Sequence, residues 1–544
     1  MKIRHNMLEK AQNSNLHINL LCASLITIGI LLPDFYLGYI AKILTCTIPI
    51  MTFLGVLGFS VLLSFIKNRY LLVLVVGLLI LTQTVQINHW AYFGAPIHSH
   101  DISKVFFELD EIFQTGSALT FQLWRVWLVE AASIGTVIFG VWITKNRNRN
   151  KFAWIPLIIV LSITPVLSHL KGPAAFYTKP TSSTIYNTTR AFSDWVVNSS
   201  RKVKSPDYKP YSISYRTPKV RNVVLIMGES LSSRYMHLYG YSQPNTPYLD
   251  SLKNDPNFAF SKGVSSSVST ITSLQLFFNT FRNPGHTSLI RKKEANLFRL
   301  AKHQGYKTFV ISAQNEKLFH DTGIEFVDHF GSEKDIHENL ANKGDEALID
   351  SLQILTLSDK NFIVIHLRHI HTPFDTYTKH HPELGYSKEV HKDRASQAQQ
   401  EYSNAILYHD YWVKQCIAMI QKLLPQDTVI FFTSDHGQLL GERSLYGHNL
   451  MEPEVSDVPV WSYCINTQPT HLASLKNQII SHYDLAKHIG GLMGATITNP
   501  NENSTHQFVH SSEIYTNYQF MPWKKEHGKV VFFDKEWVCK LTAK

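Results

Sequence analysis

Glu229, Asp435 and His436 are side chains of the kind that hold a divalent cation, and they stand directly after two apolar runs, in NVVLIMGES (222–230) and DTVIFFTSDHG (427–437). Zinc accepts carboxylate oxygen and imidazole nitrogen at about 2 Å, and manganese is the alternative for such donors. These residues supply three ligands, so a fourth must come from elsewhere in the chain. The segment SKGVSSSVSTITSLQLFF (261–278) is the natural donor, a hydroxyl-rich turn that runs into an apolar helical start. A Ser or Thr that opens a helix lies beside unpaired backbone N–H groups, which suits both binding a phosphate and attacking it. A metal would make that hydroxyl nucleophilic near neutral pH. An isolated hydroxyl cluster is more often only a helix cap, so residue types alone leave the nucleophile open.

Unbroken runs of Val, Ile, Leu and Phe between polar residues are expected as strands buried on both faces of a parallel sheet. KTFVISAQNEK (307–317) and NFIVIHLRHIH (361–371) repeat the pattern and also release into Lys, Asn and His. In open α/β sheets ligands gather beyond the carboxyl ends of the strands, so these four runs predict a single active-site rim. Between 401 and 424, Tyr402, Ala405, Ile406, His409, Trp412, Val413, Cys416, Ile417 and Ile420 recur at helical spacing. Strands alternating with such helices predict a mainly parallel sheet covered by helices over 222–544.

The 544-residue chain is long enough for at least two domains, and its apolar residues concentrate before residue 171. Runs at about 16–32, 43–66, 70–88, 126–144 and 152–170 are each near the length that crosses ~30 Å of hydrocarbon, predicting a five-helix transmembrane domain over 1–170. Lys2, Arg4 and Lys10, then Lys67 and Arg69, then Lys145, Arg147, Arg149 and Lys151 fall on one side, which the positive-inside rule makes cytoplasmic. The rest of the chain is then expected outside the cytoplasm, with the first helix a retained anchor. Glu130 in the fourth helix should face protein or water. The loop at about 89–118 carries interfacial-type aromatics (Trp90, Tyr92, Phe93), then Val105, Phe106, Leu109 and Phe113 in an amphipathic pattern; it reads equally as a helix in the headgroup plane or as a connector. Residues 171–221, rich in Pro, Ser, Thr and Lys, are expected as a linker along the membrane surface. The net charge of +10 sits largely in the cytoplasmic loops, with no basic stripe of interleaved aromatics, so no nucleic-acid partner is expected. Of five cysteines, Cys416, Cys464 and Cys539 lie beyond the helices, enough for one bridge at most.

With GES, the hydroxyl-rich segment, SDHG and the later LYGHN together, the chain resembles the membrane-bound phosphoethanolamine transferases, a sulfatase-like branch of the alkaline phosphatase superfamily that includes the mobile colistin-resistance enzymes. The resemblance implies that Glu229, Thr270, Asp435 and His436 hold zinc, that Thr270 is the nucleophile, and that His371, His448 and Lys317 surround the transferred phosphate. It implies phosphatidylethanolamine as donor, and lipid A, lipopolysaccharide core or another surface glycan as acceptor, at the bacterial inner membrane. It leaves the oligomeric state open. The chain departs from the family in lacking a rich set of periplasmic cysteines, including one usual before the nucleophile, and a clear match to its lipid-contacting polar residues. The rival expectations are a glycerol-phosphate transferase of lipoteichoic-acid-synthase type and a membrane sensor without catalysis.

Overall fold

A computed structural model describes residues 2–40, 48, 50–66, 68–99, 101–102, 120–143, 152–172, 176–179, 181–198, 209–285, 287–476, 478–502, 505–515, 518–538 and 541. The chain forms two compact units, 1–201 and 202–544.

In the first unit, helices α1 (Lys2–Phe35), α2 (Ile50–Phe65), α3 (Arg69–Phe93), α4 (Thr120–Ile143) and α5 (Trp154–Lys171) fall on the five apolar runs. Among the described residues, four stretches are long and apolar enough to cross a membrane: His17–Tyr39, Arg69–Phe93, Leu123–Ile143 and Trp154–Lys171. The described part of α2 is shorter, at 16 residues, and most of the run's expected start at 43–49 lies outside the described residues. α1 and α4 approach closely because glycine stands at the crossing: a Cβ on Gly29 would meet Val137 Cγ2 at 2.7 Å, and one on Gly140 would meet Ile26 Cγ1 at 2.9 Å. Glu130 is buried and accepts a hydrogen bond from Asn88 Nδ2 at 3.0 Å, as its place in a membrane helix demands.

Two expectations for this unit are corrected. Trp90, Tyr92 and Phe93 form the last turn of α3 rather than part of a loop, and Trp90 is buried with Leu37, Leu123 and Val126. The amphipathic positions Val105, Phe106, Leu109 and Phe113 lie outside the described residues. The supposed linker 171–221 contains helix α6 (Thr184–Asn198), which is tied into the bundle. Thr184 N–H and Oγ1 each donate to the Asp34 carboxylate at 2.6 Å, and Gln83 Nε2 donates to Thr184 Oγ1 at 2.7 Å. Asp194 accepts from Ser99 Oγ at 2.5 Å and Ser168 Oγ at 3.0 Å. α6 also packs Ile185, Ala191, Phe192 and Trp195 into apolar clusters at helical spacing, a pattern that the Pro-, Ser-, Thr- and Lys-rich composition of 171–221 as a whole masked.

The second unit is built on a sheet of eight strands: β1 (Asn222–Gly228), β2 (Phe258–Val264), β3 (Lys307–Ser312), β4 (His329–Gly331), β5 (Asn361–His366), β6 (Thr428–Ser434), β7 (Asp457–Ile465) and β8 (Ile479–Ser481). Their order is β8-β2-β7-β6-β1-β5-β3-β4, parallel throughout except that β7 runs antiparallel between β2 and β6. Successive residues of β1 point to opposite layers, Val224 and Ile226 to one hydrophobic cluster and Val223, Leu225 and Met227 to the other. Two-sided burial is why the run shows no polar alternation. Helices α7 (Thr270–Phe278), α8 (Arg394–Leu423) and α9 (His482–Leu492) cover the sheet, α8 sharing the cluster of Ile226 and α7 and α9 that of Leu225. The expected helical face at 401–424 is buried from Tyr402 to Ile420. A second, antiparallel sheet near the end of the chain, Gln507–His510, Gln519–Glu526, Lys529–Phe532 and Glu536–Trp537, was not anticipated. Cys416 and Cys464 are buried free thiols, and Cys539 lies outside the described residues.

Candidate metal centre

β1 and β6 are neighbours in parallel register, Gly228 opposite Ser434, so the chain leaves both strands at one level with Glu229 and Asp435 side by side. Ser230 then takes a left-handed φ of 56°, and its N–H donates to Asp435 Oδ1 at 2.9 Å. His436 N–H donates to the same oxygen at 2.7 Å, and Ser434 Oγ at 3.2 Å. One edge of the Asp435 carboxylate is thereby fixed. The other oxygen, Oδ2, is buried without a hydrogen-bond partner and lies 3.3 Å from His436 Nε2. One ligand atom from each of Glu229, Asp435 and His436 falls within 4.8 Å of the others, and Glu229 Oε1 is 3.8 Å from His436 Nε2.

Thr270, the first residue of α7, completes the group. Its Oγ1 is 3.3 Å from Glu229 Oε2 and 3.2 Å from His436 Nε2. Three neighbouring hydroxyls point elsewhere: Ser267 Oγ donates to Ser511 O at 3.0 Å, Thr272 Oγ1 to Ser512 O at 2.9 Å, and Ser273 Oγ to Asp435 O at 2.5 Å. An orphaned carboxylate oxygen amid a second acid, an imidazole and a hydroxyl fits a divalent cation, since leaving it unpaired in the interior is costly.

The charges agree with that fit. Burial pushes the Glu229 carboxyl upward, but the His436, His371 and His448 charges and the Ser230 hydroxyl outweigh it and hold the group well below the usual carboxylate range. Burial, then the negative charge of Glu229, push Asp435 well above that range. Two buried acids this close cannot both ionise cheaply without a cation between them.

The histidines expected around a phosphate gather at the same rim. The His448 ring centre lies 4.3 Å from that of His436 and 6.0 Å from that of His371. His371 Nδ1 donates to Thr372 O at 2.7 Å. Lys317 stands exposed on the turn Glu316–Phe319 after β3.

Sequence reasoning missed the support behind these groups. Gln314, three residues before Lys317, donates through Nε2 to Glu229 Oε2 at 2.8 Å and to Leu367 O at 2.7 Å. His366 is buried and hydrogen-bonded to Ser312 and Gln314, and burial lowers its pKa to about 4. His482 accepts from Ser266 N–H at 3.2 Å and donates through Nε2 to Ser434 O at 2.9 Å, joining the turn before α7 to the end of β6. The only available signal was position, a polar residue directly after a buried strand. Replacing Gln314 with Leu is expected to weaken metal affinity about 10- to 100-fold, because partners that orient a ligand carry that much. Competition against a chelator of known affinity measures it, and unchanged affinity would remove Gln314 from the ligand shell's support.

The sulfatase family model matches residues 221–495, just over half of the chain and the whole of this site. The chain is 26% identical over 323 residues to the Kdo(2)-lipid A phosphoethanolamine 7''-transferase of Salmonella typhimurium, covering 54% of this chain and 55% of that protein. It is 30% identical over 240 residues to phosphoethanolamine transferase EptC of Escherichia coli, covering 40% of each. The chain therefore spans about half the length of these relatives or less. The integral membrane lipooligosaccharide phosphoethanolamine transferase A of Neisseria meningitidis shares the fold, with a TM-score of 0.58 at 17% identity over 88% of this chain and 95% of that one.

Proposed function

Because the chain belongs to the sulfatase family, we propose that its metal centre transfers phosphoethanolamine from phosphatidylethanolamine to lipid A, lipopolysaccharide core or a similar surface glycan. The observation that carries this reading is the Thr270 hydroxyl, 3.3 Å and 3.2 Å from two ligand atoms at the opening of a helix. The relatives named for phosphoethanolamine transfer support the choice of group. Zinc is the proposed ion, from the mixed carboxylate, imidazole and hydroxyl donors. The apolar helices hold the protein in the bacterial inner membrane, with the N-terminus cytoplasmic and the second unit periplasmic.

A bound zinc would supply positive charge that lowers the hydroxyl pKa of Thr270 and offsets charge on the phosphoryl oxygens. Thr270 Oγ1 gives up its proton to solvent water and forms a bond to the donor phosphorus. The phosphorus–glycerol oxygen bond breaks, and diacylglycerol leaves after its oxygen takes a proton from His371 or His448. Phosphoethanolamine stays on Thr270 until an acceptor oxygen displaces it and the threonine regains its proton. The N–H groups at the start of α7 and the cationic edges of His371, His448 and Lys317 receive the phosphate charge. Adding an amine to an anionic surface would lower its affinity for polycationic peptides.

Membranes containing the protein should move label from headgroup-labelled phosphatidylethanolamine to surface glycolipid, and should leave labelled phosphatidylglycerol untouched. Label arriving only from phosphatidylglycerol would replace this reading with glycerol-phosphate transfer.

A further inference from the structure

Away from the metal, three fully buried ionisable side chains form one line through the interior of the second unit. Asp345 precedes the helix Glu346–Gln353 in the capping position, yet its carboxylate does not cap that helix. Its Oδ2 instead accepts from Arg368 N–H at 2.7 Å, His369 N–H at 3.0 Å and His369 Nδ1 at 2.8 Å. His369 Nε2 lies 2.8 Å from His409 Nδ1 on α8. With His369 donating to Asp345, its second nitrogen accepts from His409. The His409 Nε2 that remains has no hydrogen-bond partner, and its ring centre is 4.9 Å from that of Phe432.

A line of this kind could relay protons or hold geometry. A relay needs an exit, and this one ends among apolar side chains. What it touches at its other end is the loop that carries His371. The backbone of Arg368 and His369 is held by Asp345, and His371 N–H donates to Arg368 O at 2.9 Å. From the opposite side Gln314 Nε2 bonds Leu367 O, and Leu367 N–H donates to Met227 O at 2.9 Å. The loop is clamped between a neighbour of the metal ligand Glu229 and the buried acid.

We propose that Asp345, His369 and His409 are positioning residues that hold His371 where it protonates the leaving oxygen of the donor. This rests on the phosphoryl-transfer reading of the metal centre. None of the three touches substrate.

The test compares two double variants of the full-length protein, each with His409→Phe to remove the second nitrogen pair. Asn places its Nδ2 near the position of the imidazole Nδ1, so His369→Asn/His409→Phe keeps the donor to Asp345. His369→Leu/His409→Phe loses it. Each is assayed on phosphatidylethanolamine, whose glycerol oxygen needs a proton to leave, and on a nitrophenyl phosphodiester, whose leaving group does not. The Leu form is expected to lose about 10- to 100-fold in kcat on the lipid, since a small misplacement of a general acid costs that much. Its KM, its metal content and its turnover of the nitrophenyl ester should stay near wild type, and the Asn form should match wild type on both. Unimpaired lipid transfer in the Leu form overturns the proposal, as does an equal loss on both substrates, which would mark a purely structural role. Wild-type protein that turns over the nitrophenyl ester but ignores phosphatidylethanolamine would sink only the donor assignment. The same two variants compared on phosphatidylglycerol then decide the positioning.

Discussion

Thr270→Ala is expected to abolish the covalent phosphoethanolamine intermediate and to lower transfer by about 10³-fold or more, the scale on which losing a nucleophile is felt. The substitution removes Oγ1, which lies within 3.3 Å of both Glu229 and His436, and leaves those ligands and Asp435 in place. Three candidate ligands remain, so the variant should still take up metal at saturating zinc, though more weakly, which separates loss of the nucleophile from loss of the site. Little else depends on that hydroxyl: Ser269, the residue before it, makes no side-chain cap to α7, and the start of the helix is pinned by Thr272 to Ser512 and by Ser273 to Asp435. Intact-mass measurement after exposure to donor lipid would show the adduct in wild type and not in the variant. Normal turnover by the variant would move the nucleophile to another hydroxyl.

Asp435→Asn is expected to reduce bound metal to near zero and transfer to background. Asparagine keeps the shape of the side chain and can still accept from Ser230 and His436 N–H through Oδ1, so the strand ends should hold together. It replaces Oδ2, the buried oxygen without a partner, with an amide nitrogen that cannot serve as a ligand. Wild-type protein should melt higher with zinc than after chelation, because a ligand of the folded state stabilises it by roughly 4 kcal/mol at a thousand times its Kd. The variant should melt at one temperature under both conditions. Metal analysis and thermal melts decide this together. A variant that keeps full metal occupancy would show that Asp435 is not a ligand, and the account of the orphaned oxygen would fail with it.

The candidate metal ligands were legible because their chemistry is local. A strand buried on both faces must be continuously apolar, and the first acid after such a run stands at the sheet rim whatever else the chain does, as Glu229 and Asp435 do. Five apolar helices and a helix-covered sheet were readable for the same reason, since periodicity and run length are properties of neighbours. Thr270 needed more. The segment 261–278 offered several hydroxyls, and only the direction of α7, set by Ser273 reaching Asp435 and Thr272 reaching Ser512, brings this one to the ligands.

What tertiary structure alone decided was the pairing of polar groups across long separations. Gln314 meets Glu229 from 85 positions away, and His409 meets His369 from 40. No spacing rule links such residues, because their partners are chosen by which strands become neighbours. Helix α6 was hidden likewise: its apolar residues Ile185, Ala191, Phe192 and Trp195 are interspersed with Thr and Asp whose partners, Asp34 and Ser168, lie elsewhere in the chain. The reversed direction of β7 belongs to this class too: a buried run reads the same in either direction, and only pairing with β2 and β6 orients it.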